Sequence, residues 1–482
     1  MKNLFVRKYT FNEDISLWNV SSVTNMISMF YDARIFNYDI SLWNVSSVMN
    51  MRRMFENARN FNGDISNWDV SSVTNMESMF LYASAFNGDI SDWDVSKVSS
   101  MRFMFWNGLA FNGNISGWNV SKVTNMASMF NSAIVFNGDV NDWDVSSVTT
   151  MQFMFGNATT FNGDISDWDV NSVLSMDYMF KDAKAFNGDI RGWNVSKVTQ
   201  MGSMFSNAQA FIGDISGWNV SSVMNMRSMF SNAKVFKGNI SDWDVSKVSS
   251  MRSMFRGGLA FNGDIIGWDV SSVTNLRYMF YDAQNFNGDI SGWDVSKVRS
   301  MKYMFYNARA FNANISGWDV SSVAGANGTT NFASIFLGSD AFDYSLCWNV
   351  TDDEAGEIRT SRTPGIRIQV LGNCTTDSPS SSPSSSPSSL PSSSPSSLPS
   401  SSPSSSSSSS PSSSPSTSPS ILPSSFPSVP PTLTCTPGKD CLRCSAYCYA
   451  RRGIIVNNFN SYNEKKNDGG YITLYSFMEF AV

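Results

Sequence analysis

Two columns of acidic and amide residues in this sequence could do chemistry. One runs Asp14, Asp39, Asp64, Asp89 and Asn114 and continues at the same spacing. The other follows a tryptophan: Asn19, Asn44, Asp69, Asp94, Asn119, Asp144 and Asp169, then on through Asp244, Asp269 and Asp294 to Asp319. Closely set carboxylates can share proton transfer, one as acid and one as base. They can also hold calcium through oxygen ligands. A catalytic pair needs one special environment, whereas each of these columns repeats 13 times at 25-residue spacing. Asx side chains also bond nearby backbone N–H groups and shape turns. The first column reads as scaffold of that kind. The second is a candidate binding ladder made of Asp69, Asp94, Asp144, Asp169, Asp244, Asp269, Asp294 and Asp319. Calcium is an alternative occupant, although the spacing lacks a compact ligand loop. No cofactor is otherwise implied.

Other chemistries are narrower. The chain has no histidine among 482 residues. That removes imidazole acid–base catalysis, Ser-His and Cys-His nucleophiles and His metal ligands. The paired methionines, such as Met101 and Met104, sit at helical phase and read as core filler. Six cysteines, Cys347, Cys374, Cys435, Cys441, Cys444 and Cys448, all lie in the last third. The net charge is -6, which argues against nucleic acid, since phosphate binding needs a basic stripe. No run of about 20 apolar residues is long enough to span a membrane.

The elements that must position the columns form one tandem array. Phe11, Phe36, Phe61 and onward to Phe311 recur every 25 residues, and Trp18 to Trp318 keep one phase through 13 copies. The consensus is FNGDISxWDVSSVTNMxxMFxxAxx. In one copy Ile65, Trp68, Val70 and Val73 suit a short strand. Met76, Met79, Phe80 and Ala83 follow at i, i+3, i+4 and i+7, the spacing of one helix face. Ser72 or Thr74 would cap that helix, and Asn87-Gly88 would turn into the next strand. Burying the apolar side chains of one copy cannot offset the entropy of ordering 25 backbones. Stacking must supply the rest. The expected fold is therefore an α/β solenoid, a right-handed stack of about 13 strand–helix repeats around a parallel sheet.

The I-x-x-W-x-V strand resembles the L-x-x-L-x-L core of leucine-rich repeats. With its W-D-V-S and M-x-x-M-F signatures, the unit is similar to the BspA-like leucine-rich repeat surface proteins. The likeness covers residues 11 to about 350. It implies surface display, adhesion and binding of host or matrix proteins. In leucine-rich-repeat geometry the residue between Trp and Val points out of the concave sheet, which would put the Asp69-to-Asp319 ladder on a binding face.

The ends differ from the body. Residues 1–10 look like a partial repeat, because Met1, Leu4 and Phe5 precede Met26, Met29 and Phe30 by 25. An earlier N-terminus with a leader is an open alternative. The regular array spans 11–335. Six extra residues follow Val323, and Phe332, Ile335 and Phe336 then replace the Met, Met and Phe. Residues 336–377 form a degenerate cap that Cys347 and Cys374 could close. Residues 378–431 are Ser/Pro-rich and cannot bury a core, so a disordered, extended stalk is expected. In the tail, 432–482, Cys435, Cys441, Cys444 and Cys448 fit two disulfides or a zinc site. Disulfides suit a small extracellular module better.

These features together predict a non-enzymatic surface or secreted interaction protein. Its partners would be extracellular proteins or glycans. The alternative is a self-associating wall or matrix component. Diversity between copies concentrates on the exterior of the expected helix, as at Arg52-Arg53 and Asp177-Tyr178.

Overall fold

The computed structural model describes residues 1–324, 331–344, 346, 348 and 350–360. The chain divides into two units, Met1–Pro383 and Ser384–Val482, and the described residues all lie in the first. The Ser/Pro segment, the tail and all six cysteines fall outside them.

Each 25-residue repeat makes one coil, and the coils stack in register. Parallel bridges join the same position of successive coils, from Asn25↔Asn50 to Asn275↔Ser300. The inward residues are the ones the sequence pattern marks. Ile65, Trp68, Val70, Val73, Met76, Met79, Phe80, Ala83 and Phe86 are each 3% exposed or less. Phe80 lies face to face with Phe86 of its own coil at 3.9 Å between ring centres. It also stacks on Phe55 below and Phe105 above, both at 5.6 Å. Trp143 lies nearly parallel to Trp118 and Trp168, at 6.4 and 6.5 Å. From Trp43 onward each indole N–H of the column donates to a carbonyl one coil back, as Trp168 does to Val140 at 2.9 Å. A buried indole needs such an acceptor, because leaving it unpaired costs about 1–3 kcal/mol.

The strand–helix alternation does not form. The Met76–Ala83 segment is two consecutive turns rather than a helix. Met79 N–H bonds the Met76 carbonyl at 3.1 Å, and Ala83 N–H bonds Phe80 at 3.0 Å. Ser78 and Tyr82, the third residues of these turns, have φ of 59° and 58°. Alternate N–H groups point along the stack. Ser78, Phe80 and Tyr82 donate to Arg102, Met104 and Trp106 at 2.8–3.0 Å. The physical reason is thickness. A helix is about 10 Å across, whereas ladder-bonded coils repeat every ~4.8 Å. A helix per coil would force the coils apart and break these bonds. The expected parallel sheet shrinks correspondingly to single bridges. Ile65–Val73 is also bent, with Val73 N–H bonding Val70 at 2.8 Å. Thr74 caps no helix; its N–H and hydroxyl both bond the Met49 carbonyl of the preceding coil, at 2.9 and 3.2 Å.

Residues 1–10 join the ladder as a half coil. Asn3, Phe5 and Arg7 N–H groups bond Ile27, Met29 and Tyr31 at 2.7–2.9 Å. At the other end the ladder resumes beyond the extra residues: Met301 bonds Asn331 and Phe305 bonds Ile335, at 3.1 and 2.9 Å. Phe332, Ile335 and Phe336 are buried there. Trp348 stacks on Trp318 at 6.4 Å, closing the tryptophan column. Among the described residues the helices are α1 (Ser321–Ala324) and α2 (Asp352–Thr360). Thr351 and Glu354 form a reciprocal cap at the start of α2, and α2 buries Ala355 and Ile358.

In most coils the third residue of the second turn is of a type that tolerates positive φ, as at Asp32, Asn57, Asn107, Asn157, Asp182 and Gly257. Asn107→Gly should therefore leave stability within ~0.5 kcal/mol, whereas Asn107→Val should cost ~2 kcal/mol or more. In a helix interior the glycine would instead be destabilising by ~1 kcal/mol or near it. Denaturant titration of the two variants separates the outcomes.

Candidate functional site

The candidate ladder is exposed, and its members use one carboxylate oxygen on themselves. Asp69 Oδ1 accepts the Ser71 N–H at 3.0 Å, and Asp94 accepts that of Ser96 at 3.0 Å. Asp144 accepts both the N–H and hydroxyl of Ser146, at 3.1 and 2.6 Å. Asp169 bonds Asn171 N–H, the one position without serine, at 3.0 Å. Asp244, Asp269, Asp294 and Asp319 repeat the contact with Ser246, Ser271, Ser296 and Ser321, each at 3.0 Å. The serine side chain, followed by its backbone N–H, holds the carboxyls of Asp69, Asp94, Asp244 and Asp294 below the usual range. At Asp319 the backbone N–H contributes most. Neighbouring rungs act against this: Asp94 raises Asp69, and Lys97 offsets it. Asparagine serves the same turn at Asn19 and Asn44, so the ladder needs an oxygen acceptor at each rung and not a charge.

The first column behaves the same way. Asp64 Oδ1 accepts the Ser66 N–H at 3.0 Å and its hydroxyl at 2.7 Å, which lowers its pKa. Among the described residues no group of three or more His, Cys, Asp or Glu side chains is placed to hold a metal ion. Met101 and Met104 are fully buried core residues.

Two features escape a reading by residue type. The asparagine of F-N-G forms a third ladder between coils: Asn112 Oδ1 accepts the Asn137 N–H, and Asn137 that of Asn162, at 2.8 and 2.7 Å. Its signal was the near-constant Asn after Phe. The other is Asp177, on the variable turn segment. Burial pushes its carboxyl up to about 6, against an opposing hydrogen bond from Gly202 N–H. Gly202 leaves room for this contact, since a Cβ there would lie 2.9 Å from Asp177 Oδ1 unless that side chain shifted.

The outward side chains of the turn segments are not uniform. Some positions stack aromatics on the surface, as Phe153 does with Tyr178 at 4.2 Å between centres. Others pair charges, as in Arg52–Glu77 at 3.6 Å and Arg53–Glu56 at 3.3 Å. The molecule thus carries one constant exposed column and one exposed face that changes from coil to coil.

Comparison with known proteins places the array. The family model described as "Mycoplasma protein of unknown function, DUF285" matches residues 1–88, 40–141, 85–187, 135–243 and 234–348. The chain belongs to the DUF285 family. No curated protein matches it. Among solved structures, this DUF285 chain is similar to a leucine-rich cell surface protein from Faecalibacterium prausnitzii, at 12% identity, TM-score 0.29, covering 60% of this chain and 82% of that one. A leucine-rich repeat protein from Eubacterium ventriosum gives 10% identity, TM-score 0.26, and coverage of 61% and 83%. The TLR13–ssRNA13 complex gives 11% identity and TM-score 0.24, with 70% of this chain spanning 47% of that one. These superpositions are too loose to transfer geometry or partners. No helix among the described residues is long and apolar enough to cross a membrane.

Asp177 generates a pH prediction. Its folded pKa, raised from 3.8 to about 6, favours the protonated folded form. Its contribution is present in acid and is lost as pH rises through about 6. Asp177→Asn keeps an acceptor for Gly202 and removes the penalty. The variant should gain roughly 2–3 kcal/mol at pH 7.5 and nothing at pH ~3.5. Melting curves at the two pH values check this; equal shifts at both would refute it.

Proposed function

We propose that this protein is a non-enzymatic interaction module, displayed at a cell surface or secreted, that presents its stacked coils to extracellular proteins or glycans. The observation that carries this reading is the division of labour between the two exposed faces. The Asx ladders are locked into backbone hydrogen bonds and barely vary. The turn segments change side chains in every coil without disturbing the core. A scaffold that fixes its backbone and varies one face is built for recognition. The absence of histidine from the sequence and the 13-fold repetition of its Asp/Asn columns speak against catalysis. The resemblance to BspA-like surface proteins and the long Ser/Pro segment favour display away from an anchor.

The regular exposed Asp/Ser column favours a second reading, a wall or matrix component that self-associates. Both readings give the ladder the role of scaffold and not of a calcium site, because each rung already accepts a hydrogen bond from the residue two ahead, serine everywhere but at Asn171. The test is binding of the whole chain to a panel of extracellular matrix proteins and glycans, with and without a chelator. Saturable binding that survives chelation is expected, with the melting temperature unchanged within ~1 °C. Loss of binding or of stability on chelation would turn the ladder into a calcium site. Concentration-dependent assembly with no ligand would favour the matrix reading.

A further inference from the structure

The variable face has one stretch whose charges are nearly all of one sign. Residues 226–234, 251–259, 276–285 and 301–310 are the turn segments of four successive coils. Together they carry seven cations and one carboxylate, Asp282, in a chain whose net charge is -6. Arg227, Arg252, Arg277 and Lys302 hold the same position in their coils. The ladder fixes their register, because their carbonyls accept from Ser203, Ser228, Ser253 and Tyr278 at 2.7–3.0 Å. Adjacent cations therefore follow one another at the coil spacing of ~4.8 Å. All four are half-buried, and Arg256 beside them is exposed.

Two pairs of tyrosines accompany this column. Tyr278 stacks on Tyr303 at 5.1 Å, and Tyr281 on Tyr306 at 4.6 Å. The guanidinium groups of Arg252, Arg256 and Arg277 converge on the Tyr278 ring, at 5.8, 5.9 and 5.7 Å from its centre. Arg256 also lies 5.1 Å from the Tyr281 ring. The ring faces offset part of the repulsion between the cations, and a bound anion would offset more of it.

Resting on the surface-binding reading, we propose that this cation–tyrosine stripe binds an anionic polysaccharide laid along the stacking direction. Its sulfate or carboxylate groups pair with the Arg227-to-Lys302 column. Its sugar hydroxyls meet the edges and phenol groups of the tyrosines. A nucleic acid fits less well. Duplex DNA carries a charge every ~1.7 Å, denser than a stripe with one cation per coil every ~4.8 Å. The paired tyrosines also cover one face of each other, which leaves less ring surface for bases.

The array itself supplies substitutions the coil accepts. Gln152 stands at the column position, and Ser206 and Ser231 stand where Arg256 does. The variant R252Q/R256S/R277Q/K302Q therefore keeps residues native to the repeat. Its control is K97S/K122S/K197S/K247S, which removes the same charge where other coils carry serine. The full chain and both variants are titrated with heparin, alginate, neutral dextran and a single-stranded oligonucleotide, after melting curves confirm folding. Heparin or alginate should bind the parent saturably and more weakly as salt rises. The stripe variant should lose ~10-fold or more of that affinity and the control less than ~2-fold. Binding to neither polyanion, equal loss in both variants, or tighter binding of the oligonucleotide overturns the proposal. If the polyanions fail while another matrix protein or neutral glycan binds, only the stripe proposal falls. If nothing in the panel binds, the surface-binding reading falls with it.

Discussion

The structure depends on how backbone N–H groups are shared out. In the M-x-x-M-F segment, alternate N–H groups go to the coil above and the others close turns within the coil. This sharing sets the thickness of every layer. It also explains why the core is made of flat or flexible side chains. Phe and Trp rings stack at the coil spacing without gaps, and Met fills what remains. A residue with no stacking partner would leave a void repeated at its edges. The columns of identical residues follow from identical layers.

The core was legible in the sequence. The nine repeating apolar positions of a copy, from Ile65 to Phe86, are all buried. The Asx reading was legible as well, because Asp64 and Asp69 do bond the backbone two residues ahead. The secondary structure was not. Spacing of i, i+3, i+4 and i+7 fits a helix face, but it also fits two three-residue turns that place Met76, Met79, Phe80 and Ala83 inward. The discriminating signal was the residue two after Phe80 and its equivalents. In most copies an Asx or glycine stands there, as at Asp32, Asn57, Asn107, Asp182 and Gly257, types that favour positive φ and weaken a helix, with Arg7, Tyr82 and Ser132 as exceptions. The first turn position gave no such signal, since Ser78, Arg53 and Phe103 adopt positive φ under pressure from the ladder alone.

The binding surface was less legible for a related reason. Composition pointed to an acidic protein and to its most regular column. Net charge averages over faces, and regularity marks what the fold needs. The basic stripe from Arg227 to Lys302 becomes visible only when residues 25 apart are known to be neighbours in space. Lys97 beside Asp69 and Asp94 shows the opposite case, where cations are spread among carboxylates and cancel.

The direction of the ladder has a mechanical consequence. Its hydrogen bonds run along the stack, so tension applied along that axis loads them layer after layer and not in parallel. Such a body gives way by peeling one turn at a time from an end. Each peeled turn would release about 80–90 Å of chain at full extension. A molecule of this kind lengthens in small, equal steps under pull and can re-form the same steps when slack returns, which makes it a compliant spacer as well as a rigid platform.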